Sequence, residues 1–477
     1  MKRSYRFFSR RGVVLLPALW LAALQMCWIS TARAADWTWL PGPHGDFSSD
    51  ETGLLDGFPE DGPEIVWRSQ ATPAFSGVSV GGGRVFVIGV AKGGEMKKRN
   101  DGSYLHIPYK FTGTVDVLIH ALDVADGKEI WRHSITMPAT FPVLNWEARG
   151  PEPEPAVTWA NYYGPKSAPT VDGKLIYALL HDGSLHCLEA ETGKPVWSKN
   201  PRVENKGVTG RFGYSASPLI IDKMVVVPVY APDFCLAAFD KNTGDLVWKG
   251  GTMGDPELKQ KRCDGYSTPI VAELEGKSRI LFFTGGGLQA LDPQDGKLLW
   301  NFVHPGGTGE IVPPPVARGN EIFFGSQYCP QSVLLRVENG QPVVVRKDRA
   351  LRNHFSQIVE TGGHLYGSNG NYIGSDFRCV DWKTGAEKWS VTFVNGAESK
   401  QREMARVLVA DGKLIVLTAY GELILAKPDP TEFKVLGRAR LSPNDSDFKF
   451  WSPVALSDGQ FYCQDTNGEV ICVNLKQ

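Results

Sequence analysis

An all-β propeller of eight four-stranded antiparallel blades is the fold this sequence predicts, and three observations carry the prediction. A short segment ending in tryptophan recurs along the chain. Each recurrence is preceded by short β-rich runs separated by turn signals. The last unit lacks its fourth run, and a matching run lies near the N-terminus. Four strands in roughly 50 residues is the signature of a propeller blade.

The segment first occurs as "ALDVADGKEIW", closing at Trp131. It returns as "CLEAETGKPVW" at Trp197, "AFDKNTGDLVW" at Trp248, "ALDPQDGKLLW" at Trp300 and "CVDWKTGAEKW" at Trp389. Two degenerate copies, "LLRVENGQPVV" and "LAKPDPTEFKVL", align with their last residues at Val344 and Leu436. A whole unit is visible in "SAPTVDGKLIYALLHDGSLHCLEAETGKPVW", where Asp172-Gly173, Asp182-Gly183 and Thr192-Gly193 separate four strands, A to D.

Eight A segments follow one another: "FSGVSV", "SAPTV", "SASPLII", "STPIVA", "PPPVA", "FSQIVE", "ARVLVA" and "WSPVAL". The eighth unit stops after strand C, and "GPEIVWRSQ", residues 62–70, supplies its strand D, with Trp67 aligned to Trp131. That pairing closes the ring and leaves no open sheet end.

Within the repeat, the glycines (Gly127, Gly193, Gly244, Gly296, Gly385) take the positive-φ position of the C–D turn. Trp67, Trp131, Trp197, Trp248, Trp300 and Trp389 each present a flat face to the neighbouring blade, a structural docking girdle. The acidic turns "DVADG", "DKNTG" and "DTNGE" look like pieces of a calcium loop but lack its closing glutamate, so hairpin turns explain them.

Composition agrees with a globular protein: 42% hydrophobic and 22% charged residues, with 52 Gly and 32 Pro for many turns. Residues 1–34 combine a basic start (Lys2, Arg3, Arg6, Arg10, Arg11), an apolar run and Ala32-Arg33-Ala34, the pattern of a cleavable signal peptide. Export to the periplasm or beyond is expected, with no stable membrane span after cleavage. This segment carries six basic residues and no acidic one, so the rest is more acidic than the net charge of −1 of the whole chain. That argues against nucleic acid as a partner.

Of the 8 cysteines, one lies in the leader, leaving an odd number in an oxidising compartment. Cys187, Cys379 and Cys472 hold the slot of Ala121, Ala238 and Ala290 and are expected as small buried residues. Cys235, Cys263 and Cys329 fall in or near loops, where one pair could form a disulfide.

These repeats resemble the tryptophan-docking motif of the eight-bladed PQQ-like propeller family, over residues 62–477, with 35–61 as an extended leader. The resemblance implies one of two activities. One branch of the family comprises quinoprotein oxidoreductases that use pyrroloquinoline quinone (PQQ) and calcium. The other comprises cofactor-free binding scaffolds, including a lipoprotein of the outer-membrane assembly machine. This chain has neither a Cys-Cys pair nor a C-x-x-C-H haem motif, which favours the scaffold. The expected partner is an envelope protein, a peptide or a small ligand.

In a propeller the residues just before each strand A converge on one channel mouth. Here they supply Lys166, Arg211, Tyr214, Asp264, Tyr266, Glu310, His354, Arg402, Arg406, Lys449 and Trp451, a candidate ligand-binding rim of aromatics and both charge signs. Two insertions, 91–113 and 137–164, break the rhythm and are candidate partner loops. No catalytic or metal site is expected: nucleophile elbow, phosphate loop and zinc-type cluster are missing, and His181 and His186 fall on two strands of a hairpin.

Overall fold

The computed structural model describes residues 36–91, 114–138, 144–145, 150–151, 165–208, 212–253, 265–304, 311–371, 374–394, 402–442 and 450–477. The chain separates into two units, Met1–Arg33 and Ala34–Gln477, and everything described belongs to the second. The expected signal peptide and nearly all of both insertions lie outside the described residues. No helix among the described residues is long and apolar enough to cross a membrane.

Eight sheets, each with four antiparallel strands A to D that are consecutive in all but the eighth, make up the ring. Blade 2 shows the pattern: Thr170–Asp172, Leu175–Leu179, Leu185–Glu189 and Pro195–Lys199. Strands B and C are buried almost throughout, whereas D strands alternate or are exposed, as expected of an outer edge. In the eighth blade Ile65–Gln70 pairs antiparallel with Glu469–Asn474, placing Ile65 opposite Val473 and Arg68 opposite Ile471. The ring is therefore closed by a strand from the start of the domain, as the sequence predicts.

The docking turns are built from their own residues. Asp123, Asp240, Asp292 and Asp381 each turn a carboxylate oxygen back onto a backbone amide two residues on, which makes each a self-bonded turn. Gly127 has φ +70°, and a Cβ there would stand 2.5 Å from the Trp67 ring. Only glycine lets the indole lie flat on the turn. Five tryptophans also donate Nε1–H to a carbonyl of the next blade: Trp67 to Val124, Trp131 to Ala190, Trp197 to Lys241, Trp248 to Pro293 and Trp389 to Asp429, at 2.7–3.1 Å.

Two registers correct the sequence alignment. In the regular blades the strand-C residue before the bulge faces the tryptophan, as Ala121 faces Trp131. The same position pairs Leu334 with Arg346 and Leu425 with Gly437. The docking slots of blades 5 and 7 therefore hold Arg346 and Gly437, not Val344 and Leu436. Sequence alignment misses this because the C–D turns of these blades differ in length from the repeat, and a classic bulge hides the count.

Cys187, Cys379 and Cys472 do occupy the small slot, each opposite a docking tryptophan and a strand-B tyrosine (Tyr177, Tyr366, Tyr462). Burial pushes the Cys187 and Cys472 thiols up to about 12 and Cys379 up to about 11, so they are packing residues and not nucleophiles. The disulfide expectation is not met at Cys329, a buried free thiol; the Cys235 sulfur lies 3.6 Å from Gln289 Oε1, and Cys263 is outside the described residues.

The segment before the ring runs into the channel. Trp37 is completely buried, and the carbonyls of Trp37 and Thr38 accept Val80 and Val171 amides on the innermost strands of blades 1 and 2. Ser48–Ser49 then adds a parallel strand beside Val409 and Ala410 of blade 7. Glu51 accepts the Gly459 amide, and Asp411 accepts that of Leu54, both at A–B turns. These turns mark the end of the channel opposite the D–A connections, so residues 37–54 plug that end.

Candidate functional site: the channel cavity

A cavity of about 410 Å³ occupies the channel on the side of the D–A connections. Its wall is drawn from every blade: Phe75, Lys166, Ser215, Thr268, Pro313, Gln357, Arg406 and Pro453 come from the starts of the eight A strands in turn. Leu40 and Phe47 of the plugging segment also line it, closing its inner end. The channel is thus a blind pocket.

Of the rim residues expected from sequence, Lys166, Tyr266, His354, Arg406 and Trp451 line the cavity. Tyr214 does not. It is buried beneath the surface, its hydroxyl bonded to the Val208 and Val229 carbonyls, and its ring rests 5.5 Å from that of Tyr230. It staples a loop. Arg402 lies in the strand Arg402–Glu403, paired with Val394. Arg211, Asp264, Glu310 and Lys449 fall outside the described residues.

Sequence reading missed Phe75, Phe212, Tyr328, Phe355, Ser215 and Gln357. All but Tyr328 precede or open a strand A, so the positional rule reaches them, but it does not say which residue of each segment faces the channel. Tyr328 comes from a B–C connection. Nothing in the sequence assigns Leu40 and Phe47 to the pocket, because their segment is outside the repeat.

Aromatic rings form a continuous arc along one wall. Phe75 stacks on Trp451 at 5.6 Å, Trp451 meets Phe355 at 5.3 Å, Phe355 meets His354 at 4.6 Å, and His354 meets Tyr328 at 5.1 Å. Phe212 and Tyr266, 5.6 Å apart, stand on blades 3 and 4 across the ring. These contacts are tilted or edge-on for the most part, geometries that aromatic quadrupoles favour.

Two cations project into this apolar setting. Lys166 donates to the Phe212 carbonyl at 3.0 Å, and burial brings its ammonium down to about 7. Arg406 lies 5.1 Å over the Phe355 ring and donates to the Phe355 carbonyl. Burial lowers it to about 9, so it stays charged at neutral pH. Gln357 is 3% exposed, and among the described residues neither its Oε1 nor its Nε2 has a hydrogen-bond partner.

No carboxylate lies among the described lining residues, and no group of three His, Cys, Asp or Glu side chains among the described residues could hold a metal. Calcium takes six to eight oxygen ligands, usually with carboxylates. The described donors, two cations, an amide and hydroxyls, do not fit it.

Comparison with known proteins gives a consistent family and a divided activity. The family model described as "Outer membrane protein assembly factor BamB" matches residues 115–391. The Bordetella pertussis protein of that name is 28% identical over 206 residues, 43% of each chain. Quinohemoprotein alcohol dehydrogenase ADH-IIG of Pseudomonas putida is 26% identical over 228 residues, 45% of this chain and 28% of the relative. The matches thus span less than half of these relatives' lengths. Among solved structures, BamB from Moraxella catarrhalis superposes with a TM-score of 0.50 at 14% identity, over 86% of this chain and 98% of that one. Quinohemoprotein alcohol dehydrogenase from Comamonas testosteroni gives 0.55 at 13% identity, over 92% and 80%. At such identities the structures speak for the fold alone.

Proposed function

The chain belongs to the PQQ-repeat propeller family of the outer membrane protein assembly factor BamB, and from that premise we propose that it is an exported, non-enzymatic scaffold that binds a ligand or partner at the channel mouth. The observation that carries the reading is the pocket's construction. All eight blades contribute to a rigid, blind, aromatic cavity with buried cations, and its described lining offers no carboxylate to hold a metal or to take a proton from an alcohol. Such a site can grip a ligand, and its described titratable groups are Lys166, His354, Arg406 and tyrosines, not the acids that would hold calcium.

The partner fits the family's printed role: proteins that assemble the bacterial outer membrane. Chemical cross-linking in the native envelope followed by mass spectrometry tests this. Recovery of outer-membrane assembly proteins supports the scaffold. The competing reading is a PQQ- and calcium-dependent oxidoreductase, kept in view by the dehydrogenase relatives. Titrating the purified protein with quinone and calcium decides it. Stoichiometric quinone absorbance with alcohol-dependent dye reduction overturns the scaffold; no absorbance change upholds it.

A further inference from the structure

We propose that the channel cavity is a binding site for a small aromatic monocarboxylate, held with its carboxylate on Arg406 and its ring against the Phe75–Trp451–Phe355 arc. This rests on reading the cavity as the working site of a binding protein, and it adds the chemical class of ligand.

The polar groups point to the carboxylate. Arg406 is 4% exposed, lines the cavity and has no carboxylate partner among the described residues. Its recorded partners are a carbonyl and a ring, neither of which neutralises it. A buried charge left in that state is costly, and an anion sharing the cavity removes the cost. Gln357 and Ser215 line the same cavity, but the Gln357 amide and the Ser215 hydroxyl oxygen are sealed from it, without a hydrogen bond among the described residues. The carboxylate therefore rests on Arg406.

The walls set the rest of the molecule. Phe75, Trp451 and Phe355, 5.3–5.6 Å apart along one wall, favour an aromatic body. Inorganic phosphate, strongly hydrated and with four oxygens to satisfy, loses more on entering this aromatic setting than Lys166 and Arg406 return. The volume sits near the lower end of the roughly 300–1,000 Å³ range of small-molecule sites, room for one or two rings.

Isothermal titration of the intact protein with benzoate, benzamide and inorganic phosphate is the test. Benzoate is expected to bind at least about tenfold more tightly than the neutral amide, a difference of about 1.4 kcal/mol, with phosphate weaker than both. Arg406→Gln should abolish the preference. Equal binding of benzoate and benzamide, tighter binding of phosphate, or full benzoate affinity in a folded Arg406→Gln protein overturns the proposal. The ligand comparison needs no variant, so a misfolded substitution does not rescue the idea. Benzoate binding without envelope partners sinks the scaffold reading alone, and the reverse result sinks only the carboxylate.

Discussion

The seams between blades fall into two groups. At four of them a tryptophan lies flat on the turn glycine of the next blade: Trp67 on Gly127, Trp131 on Gly193, Trp197 on Gly244 and Trp248 on Gly296. At the others the repeat is broken and something else fills the slot. Trp389 keeps its bond to the Asp429 carbonyl but leans on Phe433, 5.3 Å away. Arg346 takes the tryptophan's place, with Gly385 beneath its guanidinium and Nε–H donating to the Trp382 carbonyl. Gly437 has no side chain to offer, and Phe58 of the leading segment lies across it. Trp300 faces a shorter turn, where Glu275 accepts the Asn339 and Gly340 amides and Gly340 has no atom within 4 Å of a Cβ.

The difference teaches what the slot requires. A planar group with one N–H donor suffices, since arginine meets the condition as well as indole does. Where the chain's own slot residue cannot comply, the leading segment does so. That segment is therefore part of the ring's architecture on two counts, as channel plug and as seam filler.

The largest effect should come from removing the plug's anchor. Trp37 is completely buried, and its ring stands within 2.7 Å of where a Gly42 Cβ would be. Trp37→Ala is expected to cost about 3–5 kcal/mol, read as a lower denaturant midpoint. A loss under about 1 kcal/mol would mean that the segment rests on the ring without supporting it.

A smaller effect separates docked from undocked turns. Gly296 and Gly340 share nearly the same φ, +71° and +74°. A Cβ at Gly296 would stand 2.4 Å from the Trp248 ring, and at Gly340 it meets open space. Gly340→Ala should cost about 1 kcal/mol, the left-handed backbone strain alone. Gly296→Ala should cost about 1–3 kcal/mol more, because the indole must lift away. Equal costs in urea unfolding would show that docking adds nothing to backbone conformation.

The same contrast explains what the sequence revealed. Blade number, strand count and ring closure are legible because they rest on turn glycines and tryptophans that have few substitutes. Arg346 and Phe58 are not legible: an arginine resembles a surface charge until its register is known, and Phe58 acts from outside the repeat. The candidate site divides likewise. Lys166, Tyr266, His354, Arg406 and Trp451 follow from their place before strand A, and Tyr214, in an equivalent place, turns inward to bond the Val229 carbonyl. A positional rule finds the rim but does not say which way each side chain points.

The smallest effect tests Arg346 as a tryptophan substitute. Its guanidinium pairs with Asp348 and lies 5.5 Å over the Phe323 ring, yet Nη2 is buried without a partner among the described residues. Burial holds its pKa below the usual value, against the pull of Asp381 and Glu321. Those debits offset much of the gain from the Trp382 carbonyl bond. Arg346→Met keeps the apolar stem over Phe323 and loses the charge, and Asp348 still accepts the Ala350 amide at 2.9 Å. The expected loss is therefore only about 1 kcal/mol, measurable as a fall of about one degree in melting temperature. Trp248→Ala, which empties an intact dock, should cost about 3–5 kcal/mol. If the two substitutions prove equally damaging, arginine is no makeshift in this ring and seam 5/6 is as strongly specified as the tryptophan seams.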